Sequence, residues 1–388
     1  MGENIIDAHE DEWRYIASVM KPGIQRTFSI ASLVKKSQKL ARLFLETQRL
    51  NAPENSGVTV DPLTHRWSVS TYCEYFLDVE VECLERSDVR LEKLMGKMGD
   101  SVIPLAPLFT EFPIIERLWW LFPDRRRAFG YVDEIEKQLV AYTEQHMKIP
   151  PSPENADKMI HGLQRARAEG SLSEYRYRSN LNMLFVAGTE NIQIALTSAM
   201  WELAKNLDLQ SAVRDEVIDS LPGTYSGKDI NNLPRLTSLC LETLRLYPPL
   251  SQLVGRYALD DMPLDEENVI PKGTWVGWSA YGVQTDPNVW GPRVREFNPS
   301  RWGTTIEQIN DAFRMHQAKG NFITFNGYTR RCLGSHFALT QFKVVLCELL
   351  RALKWTRDPS YKLETTVRVL MGPSKSRLIF TELGDERS

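Results

Sequence analysis

The residues with chemistry in them gather near the C-terminus, in FNGYTRRCLGSHFALTQFKVVLCELL, which begins at Phe325. Cys332 stands there two residues before Gly334 and ahead of an amphipathic helical run, with Arg330 and Arg331 beside it. A thiol at a helix N-terminus flanked by two cations has its thiolate favoured by the dipole and by Coulomb attraction. The thiolate is the form that ligates iron. Gly334 would let the loop turn tightly, so that backbone N–H groups point at the sulfur and tune its electron donation. The plainer reading is a buried cysteine at a helix start. That reading serves for Cys73, Cys83, Cys240 and Cys347, which sit in apolar or helical segments. A second constellation is LETLRLYPP, where Glu242 and Arg245 are three apart and share a helix face. Such a pair is ordinarily solvated and worth little. Here both charges lie among Leu241, Leu244 and Leu246, so they must be compensated. Arg301, in FNPSRW, is the candidate third member.

The elements that must position these residues read mainly as helices. Apolar residues recur at three and four over residues 91–98 and 132–147. A proline-rich connection, IPPSPENAD at 149–157, separates them from a long helical candidate at 174–205 that carries AGTEN, a glycine-containing interruption, in its middle. Helices at 209–220 and 233–246 follow, the second closed by Pro248 and Pro249. Short β-like runs (LVGRYAL, TWVGWSAYGV, RLIFTEL) then alternate with Pro and Gly turns, and a last helix covers 336–355. The expected fold is mainly α with a minor, late β component, in a single domain over 1–388. No strand–helix alternation supports a doubly wound α/β sheet.

Composition excludes several classes. A 42% apolar share with 10 Trp, 13 Tyr and 15 Phe rules out intrinsic disorder. Lys and Arg (47) nearly balance Asp and Glu (50), so the broad basic surface that nucleic-acid binding needs is not expected. Five cysteines, an odd number with no CxxC pair, point to a reducing compartment rather than a disulfide framework. No run approaches the ~18–20 apolar residues of a membrane span, and the acidic start MGENIIDAHEDEW is no signal peptide. The chain as written reads as soluble or peripherally attached.

Four separated segments together resemble the cytochrome P450 (haem-thiolate monooxygenase) family, over the chain from about Glu12 to the end. Phe325, Arg330, Cys332 and Gly334 are similar to its haem-ligand loop. Glu242 and Arg245 resemble its E-x-x-R helix, Pro299 to Trp302 the segment that supplies the second arginine, and AGTEN (Ala187 to Asn191) the oxygen-activation part of its long central helix. IPKGT and TDPNVWG also look like its connecting segments. The resemblance implies the cytochrome P450 fold, with haem between the central helix and the cysteine-loop helix, and Cys332 as the iron's axial ligand, favouring O–O cleavage. It implies that Phe325 shields the sulfur, that Arg330 and Arg256 hold propionates with Trp13 nearby, and that Ala187 and Gly188 face dioxygen. Glu190 would deliver protons, and Glu242, Arg245 and Arg301 would lock the fold around the ligand loop.

This sequence departs from the family pattern at four places. Tyr328 stands where the family has glycine, with Gly327 one position earlier, which would bend the loop differently. Asn191 replaces the proton-relay threonine. Ala17 stands where an arginine is expected four residues after Trp13. Trp13 lies near the start of the chain, so the membrane anchor, proline hinge and first strands that usually precede it are expected to be missing.

Within the family the motifs look most similar to fungal members, including the oxidases that couple tyrosine derivatives for dityrosine spore walls and relatives in secondary-metabolite pathways. The resemblance implies electrons from NADPH through an NADPH–cytochrome P450 reductase, with the basic residues Lys319, Arg331 and Lys343 helping to dock it. It implies O2 and an apolar or aromatic organic substrate contacting Phe185, Val186, Ser251 to Val254 and Met371 to Ser374, with hydroxylation or phenol coupling as the outcome. Trp119, Trp120 and Phe122 beside Arg125, Arg126 and Arg127 read either as an interfacial element at a membrane, the endoplasmic reticulum in this family, or as a buried helix end with a solvated basic turn. The rival functional reading is a non-catalytic fragment unable to bind haem.

Overall fold

Caps and prolines set where the helices start. The computed structural model describes residues 3–51, 56–86, 118–147, 155–367 and 370–383, with Leu91, Lys93, Leu94 and Lys97 between them. The principal helices are α1 (Glu10–Gln25), α2 (Ala31–Asn51), α3 (Asp61–Leu77), α4 (Pro123–Met147), α5 (Met159–Ala168), α6 (Glu174–Lys205), α7 (Leu207–Ser220), α8 (Pro234–Leu246), α9 (Ile306–Ala318) and α10 (Ser335–Ala352). The Ser173 hydroxyl accepts the Arg176 amide at the start of α6, and Asn206 does the same for α7 through Leu209. Thr305 and Gln308 form a reciprocal capping box on α9. Pro234 occupies the first turn of α8, where its missing N–H is no loss.

Among the described residues nine short strands make small antiparallel sheets: β1 (Val58–Thr59), β2 (Gln252–Tyr257), β3 (Met262–Pro263), β4 (Val269–Ile270), β5 (Trp275–Ser279), β6 (Leu353–Arg357), β7 (Glu364–Val367), β8 (Met371–Ser374) and β9 (Arg377–Glu382). The largest has the order β1-β9-β6, and β2-β5, β3-β4 and β7-β8 pair off as hairpins. One apolar core runs from Ile5 to Phe380. At its centre α10 buries Phe337, Phe342, Val344, Val345, Leu346, Leu349 and Leu350, so it is apolar nearly all round, as a helix enclosed by others must be. It packs on α2, α7, α8 and α6, while α6 is flanked by α3, α4 and β8.

The mainly helical expectation with a minor β share holds, with local corrections. The 174–205 helix is unbroken through AGTEN, and within it Thr189 Oγ1 and Asn191 Nδ2 bond back to the Phe185 and Ala187 carbonyls at 2.8 and 2.9 Å, so their polar groups are met inside the helix. The last helix stops at Ala352. Leu353 turns extended, and Trp355 lies on β6, its Nε1 donating to the Met200 carbonyl at 2.9 Å. Of the helix expected at 91–98, the described residues Leu91, Lys93, Leu94 and Lys97 are helical, and the remainder, like most of the 149–157 connection, lies outside the described residues.

Candidate active site

The cysteine loop closes on itself where the Cys332 amide donates to the Phe325 carbonyl at 2.8 Å. Two residues between them are left-handed, Asn326 at φ 58° and Tyr328 at φ 52°. That is the region glycine enters without strain, which explains why a glycine suits position 328. Tyr328 adopts the left-handed conformation itself, so its side chain is tolerated without re-routing the loop. Gly334 is different, with φ −87°, and a Cβ built there would meet only Ile24, at 4.0 Å. The expected tight turn at Gly334 is therefore not what its backbone does, although its N–H does bond the Cys332 sulfur.

The thiol is shifted opposite to the sequence expectation. Burial of the sulfur deep in the protein pushes its pKa up, and the Gly334 N–H and the Arg331 charge only partly offset this. Two features bear on the correction. Arg330 points away, its guanidinium donating to the Ala8 and Ile6 carbonyls at 3.0 and 3.1 Å. Cys332 also lines a recess of about 610 Å³ with Trp13, Lys21, Tyr328, Arg331, Leu333 and His336, so its thiol is reachable although the surrounding protein desolvates its charge. Of the five cysteines Cys332 alone is exposed. The other four are buried, and burial lifts Cys240 and Cys347 to about 12.

Cations flank this loop on one side. Arg330 stacks over the Trp13 ring, 4.7 Å from its centroid. Burial, and then the nearby charge of Arg256, lower the Arg330 pKa to about 10. Two guanidiniums close enough to repel make a place for an anion. Ala17, buried on the same helix as Trp13, adds no charge there.

On the long helix, α6 leaves part of one face incompletely packed. Met183, Ala187, Glu190, Asn191 and Ile194 are only half-buried, and they fall at the spacing of a single helical stripe. Burial lifts the Glu190 carboxyl to about 7. The Asn191 amide is oriented by its bond to the Ala187 carbonyl, which leaves its buried Oδ1 without a partner among the described residues. Two of the sequence assignments move. Gly188 does not leave room for a small ligand, because a Cβ there would overlap the Tyr72 ring of α3. Phe185 turns to the same ring, 5.6 Å away and edge-on, and is fully buried. Ser251 and β8 do come together, since the Met371 amide donates to the Pro249 carbonyl at 3.0 Å and Leu250 bridges Leu370. Gly372 then sits against α6, where an added Cβ would be 2.6 Å from Ile194 Cγ2. Val186 is half-buried.

Behind the loop the charged pair of α8 is wholly buried and compensated. Arg245 donates Nε and Nη2 to the two Glu242 oxygens at 2.8 Å each, in a fork, and Nη1 to the Gln284 carbonyl at 2.8 Å. Arg301 Nε (3.4 Å), Trp302 Nε1 (3.1 Å) and the Asn298 amide (3.0 Å) complete the Glu242 shell. Gln284 went unnoticed in the sequence, yet it ties this pair to the cysteine loop. Its Nε2 donates to the Leu244 and Arg245 carbonyls, and its Oε1 accepts from the Ile323 and Thr324 amides at 2.9 and 3.0 Å. It directly follows TWVGWSAYGV, the run read as β-like, in which the chain in fact turns helical at Ala280.

Among the expected docking cations, Lys319 and Arg331 are exposed, but Lys343 is buried on α10 with Nζ on Asn231 Oδ1 at 2.9 Å, so it presents no charge to a partner. The 119–121 turn exposes Trp119, Trp120 and Leu121 at 37%, 54% and 53%, while Phe122 is half-buried.

No group of three or more His, Cys, Asp or Glu side chains among the described residues is placed to hold a metal ion. Iron bound by the Cys332 thiolate therefore needs a ligand that brings its own donors. One reachable thiol, a paired-guanidinium anion site and an unpacked helix stripe fit haem, a flat apolar ring with anionic edges.

The comparisons agree with that donor set. The Cytochrome P450 family profile matches residues 1–380. The chain is 37% identical over 375 residues to Cytochrome P450 monooxygenase xanG of Aspergillus fumigatus, covering 94% of this chain and 69% of that protein. It is 28% identical over 382 residues to Cytochrome P450-DIT2 of Saccharomyces cerevisiae, covering 98% and 76%. Cytochrome P450 714C2 of Oryza sativa subsp. japonica is 34% identical, covering 99% and 72%. The chain belongs to the cytochrome P450 family, and with these relatives it is a haem-thiolate monooxygenase of fungal type. No helix among the described residues is long and apolar enough to cross a membrane.

Proposed function

We propose that this monooxygenase takes electrons from NADPH through a reductase and oxidises an apolar or aromatic organic substrate, by hydroxylation or by coupling of phenols. A tyrosine derivative or a secondary-metabolite precursor is the favoured substrate class. Cys332 holds the iron, Phe325 backs the loop, and Arg330, Arg256 and Trp13 hold the anionic edge of the ring. Haem supplies the activation of O2 when bound. The chain's own residues do the rest. The Ala187–Ile194 stripe of α6, with Ser251 and β8, shapes the substrate space. Glu190, half protonated near pH 7, delivers protons. Asn191 offers a fixed acceptor, Oδ1, where the family has a hydroxyl, so it orients a water or a substrate donor rather than relaying through itself. Glu242, Arg245, Arg301 and Gln284 keep the loop in place. Lys319 and Arg331 meet the acidic electron donor, and Trp119 and Trp120 rest on a membrane surface such as the endoplasmic reticulum.

The observation that carries this reading is that Cys332 alone of the five thiols is reachable, lining a recess between α1 and the cysteine loop. The test is the carbon monoxide difference spectrum of the dithionite-reduced chain, expressed with haem precursor. A red-shifted Soret band that disappears in Cys332→Ala is the expected result. A second reading, a chain that does not retain haem, has one observation in its favour: Tyr257, Leu259, Leu264, Val269 and Trp275 of the β2-β5 and β3-β4 hairpins face solvent. Absence of any Soret band in the wild-type chain would decide for that reading.

A further inference from the structure

A short turn ahead of α1 ties α6 to the cysteine loop. Asn4 organises it. Its side-chain oxygen accepts the Ile6 amide at 2.9 Å, and its carbonyl accepts the Asp7 and Ala8 amides at 3.1 and 2.8 Å. In that turn the Ile6 and Ala8 carbonyls converge on one guanidinium, that of Arg330, at 3.1 and 3.0 Å. The same turn is pinned to α6. The Ile5 amide donates to Asn180 Oδ1 at 2.9 Å, and Asn180 Nδ2 donates to the Arg176 carbonyl at 2.8 Å, which fixes the direction of the oxygen. One turn earlier on α6, Arg176 pairs with Glu3 at 3.1 Å and Glu12 at 2.7 Å, on either side of the turn. Asn4, Ile5 and Ala8 are buried, so this segment packs as part of the fold.

Arg330 is the point where this segment meets the anion site. A guanidinium carries five N–H donors, and the two carbonyls leave others free for an anion. Burial and the charge of Arg256 both disfavour the Arg330 cation, while the two carbonyls and the Trp13 ring, 4.7 Å away, favour it. An anion shared by the two guanidiniums removes their repulsion and strengthens the hold of Arg330 on both carbonyls, so cofactor and segment stabilise each other. Among the described residues Asn180 bonds Ile5 and Arg176 and not the cysteine loop, so it reaches Arg330 through this segment. We propose that residues 3–8 are a strap that retains haem through Arg330, and that Asn180 is the positioning residue that pins the strap to α6. This rests on the haem-thiolate reading above and adds what keeps the cofactor in place.

The test mixes the haem-loaded full chain with excess apomyoglobin, which captures released haem, and reads the dissociation rate from the Soret band. Hydrogen exchange of the amides of residues 4–8 is followed with and without haem. Asn180→Ala is expected to speed haem loss roughly tenfold, the effect of one buried hydrogen bond, without moving the Soret band, because the thiolate is untouched. Asn182→Ala removes a buried amide of the same helix that bonds Glu136 of α4, and is expected to change the rate less than about twofold. Arg330→Lys speeds haem loss by itself, and adding Asn180→Ala to it is expected to change the rate less than about twofold further, because the strap has already lost its hold. In the wild type, exchange at residues 4–8 is expected to be slower with haem than without, a comparison that needs no variant to fold, and Asn180→Ala is expected to cancel the difference. An unchanged rate in Asn180→Ala, an equal rise in Asn182→Ala, or factors that multiply in the double variant overturn the proposal. So does wild-type exchange that is the same with and without haem. A wild-type chain with no thiolate-haem Soret band overturns the functional reading, and the role of the strap falls with it.

Discussion

Burial acts on Cys332 and Glu190 in the same direction and with different consequences. For Cys332 it favours the protonated thiol, so an iron held by this residue would have to displace that proton. Arg331 lowers that thiol's pKa, and Arg331→Gln is therefore expected to raise it further, which thiol alkylation of the haem-free chain against pH reads as a curve shifted to higher pH. Glu190 carries a folded pKa of about 7, above the usual carboxylate value. The folded chain then holds a proton there that the unfolded chain has lost, so this stability is full in acid and disappears as pH rises through 7. Glu190→Gln is expected to flatten that slope and to stabilise the chain at pH 8 by on the order of 1 kcal/mol in urea titrations. On the proposed role of Glu190 as proton donor, the same variant is expected to let oxygen consumption outrun product, an imbalance that the wild type should show only above about pH 7.

At the scale of elements, the site depends on two tight junctions. The α3–α6 contact exists because Gly188 lets the Tyr72 ring lie where a Cβ would be. Gly188→Ala should destabilise by about 1–3 kcal/mol through overpacking, and Tyr72→Leu in the same chain should recover part of it, a coupling that a double-mutant cycle in urea measures. The second junction is the buried network of α8. Gln284 bonds α8 carbonyls with its amide nitrogen and cysteine-loop amides with its oxygen, so Gln284→Leu strands groups at both ends. Removing the Arg245 head by Arg245→Met leaves Glu242 buried without its main countercharge, at a cost of about 3–5 kcal/mol. Its expected readout is chain that expresses insoluble or without haem. Equal stability and haem content in Arg245→Met would show that the pair is not what holds the loop.

At the scale of the molecule, the exposed apolar side chains among the described residues include two groups. One is the 119–121 turn, with Arg126 on the helix that follows it, the mixture of rings and cations that enters headgroups. Replacing Trp119, Trp120 and Leu121 together by serine is expected to abolish co-sedimentation with anionic vesicles while leaving Tm unchanged, because none of the three is buried. Vesicle binding that survives the triple change assigns membrane contact to other residues. The other is the exposed apolar side chains of β2 through β5. Those short hairpins leave open edges, the condition under which strands pair between molecules.

Much of this was written locally. Proline and cap residues mark helix starts within one or two positions, because capping is a matter of neighbours three residues apart. Glu242 and Arg245 share a face at any i,i+3 spacing, and leucines on either side already demanded a third charge. The order of the motifs was enough to indicate the family and to single out Cys332. Contacts between distant segments were not legible in this way. Whether a cation at position 343 meets solvent or Asn231, whether the small residue at 188 opens space or admits a ring from α3, and whether Gln284 reaches two elements are decided by which helix arrives alongside. The thiol's pKa belongs with these, since depth in the folded chain outweighs the dipole and charge that its immediate neighbours promised. Local spacing is set by backbone geometry over one or two turns, whereas burial is set by everything that packs around it.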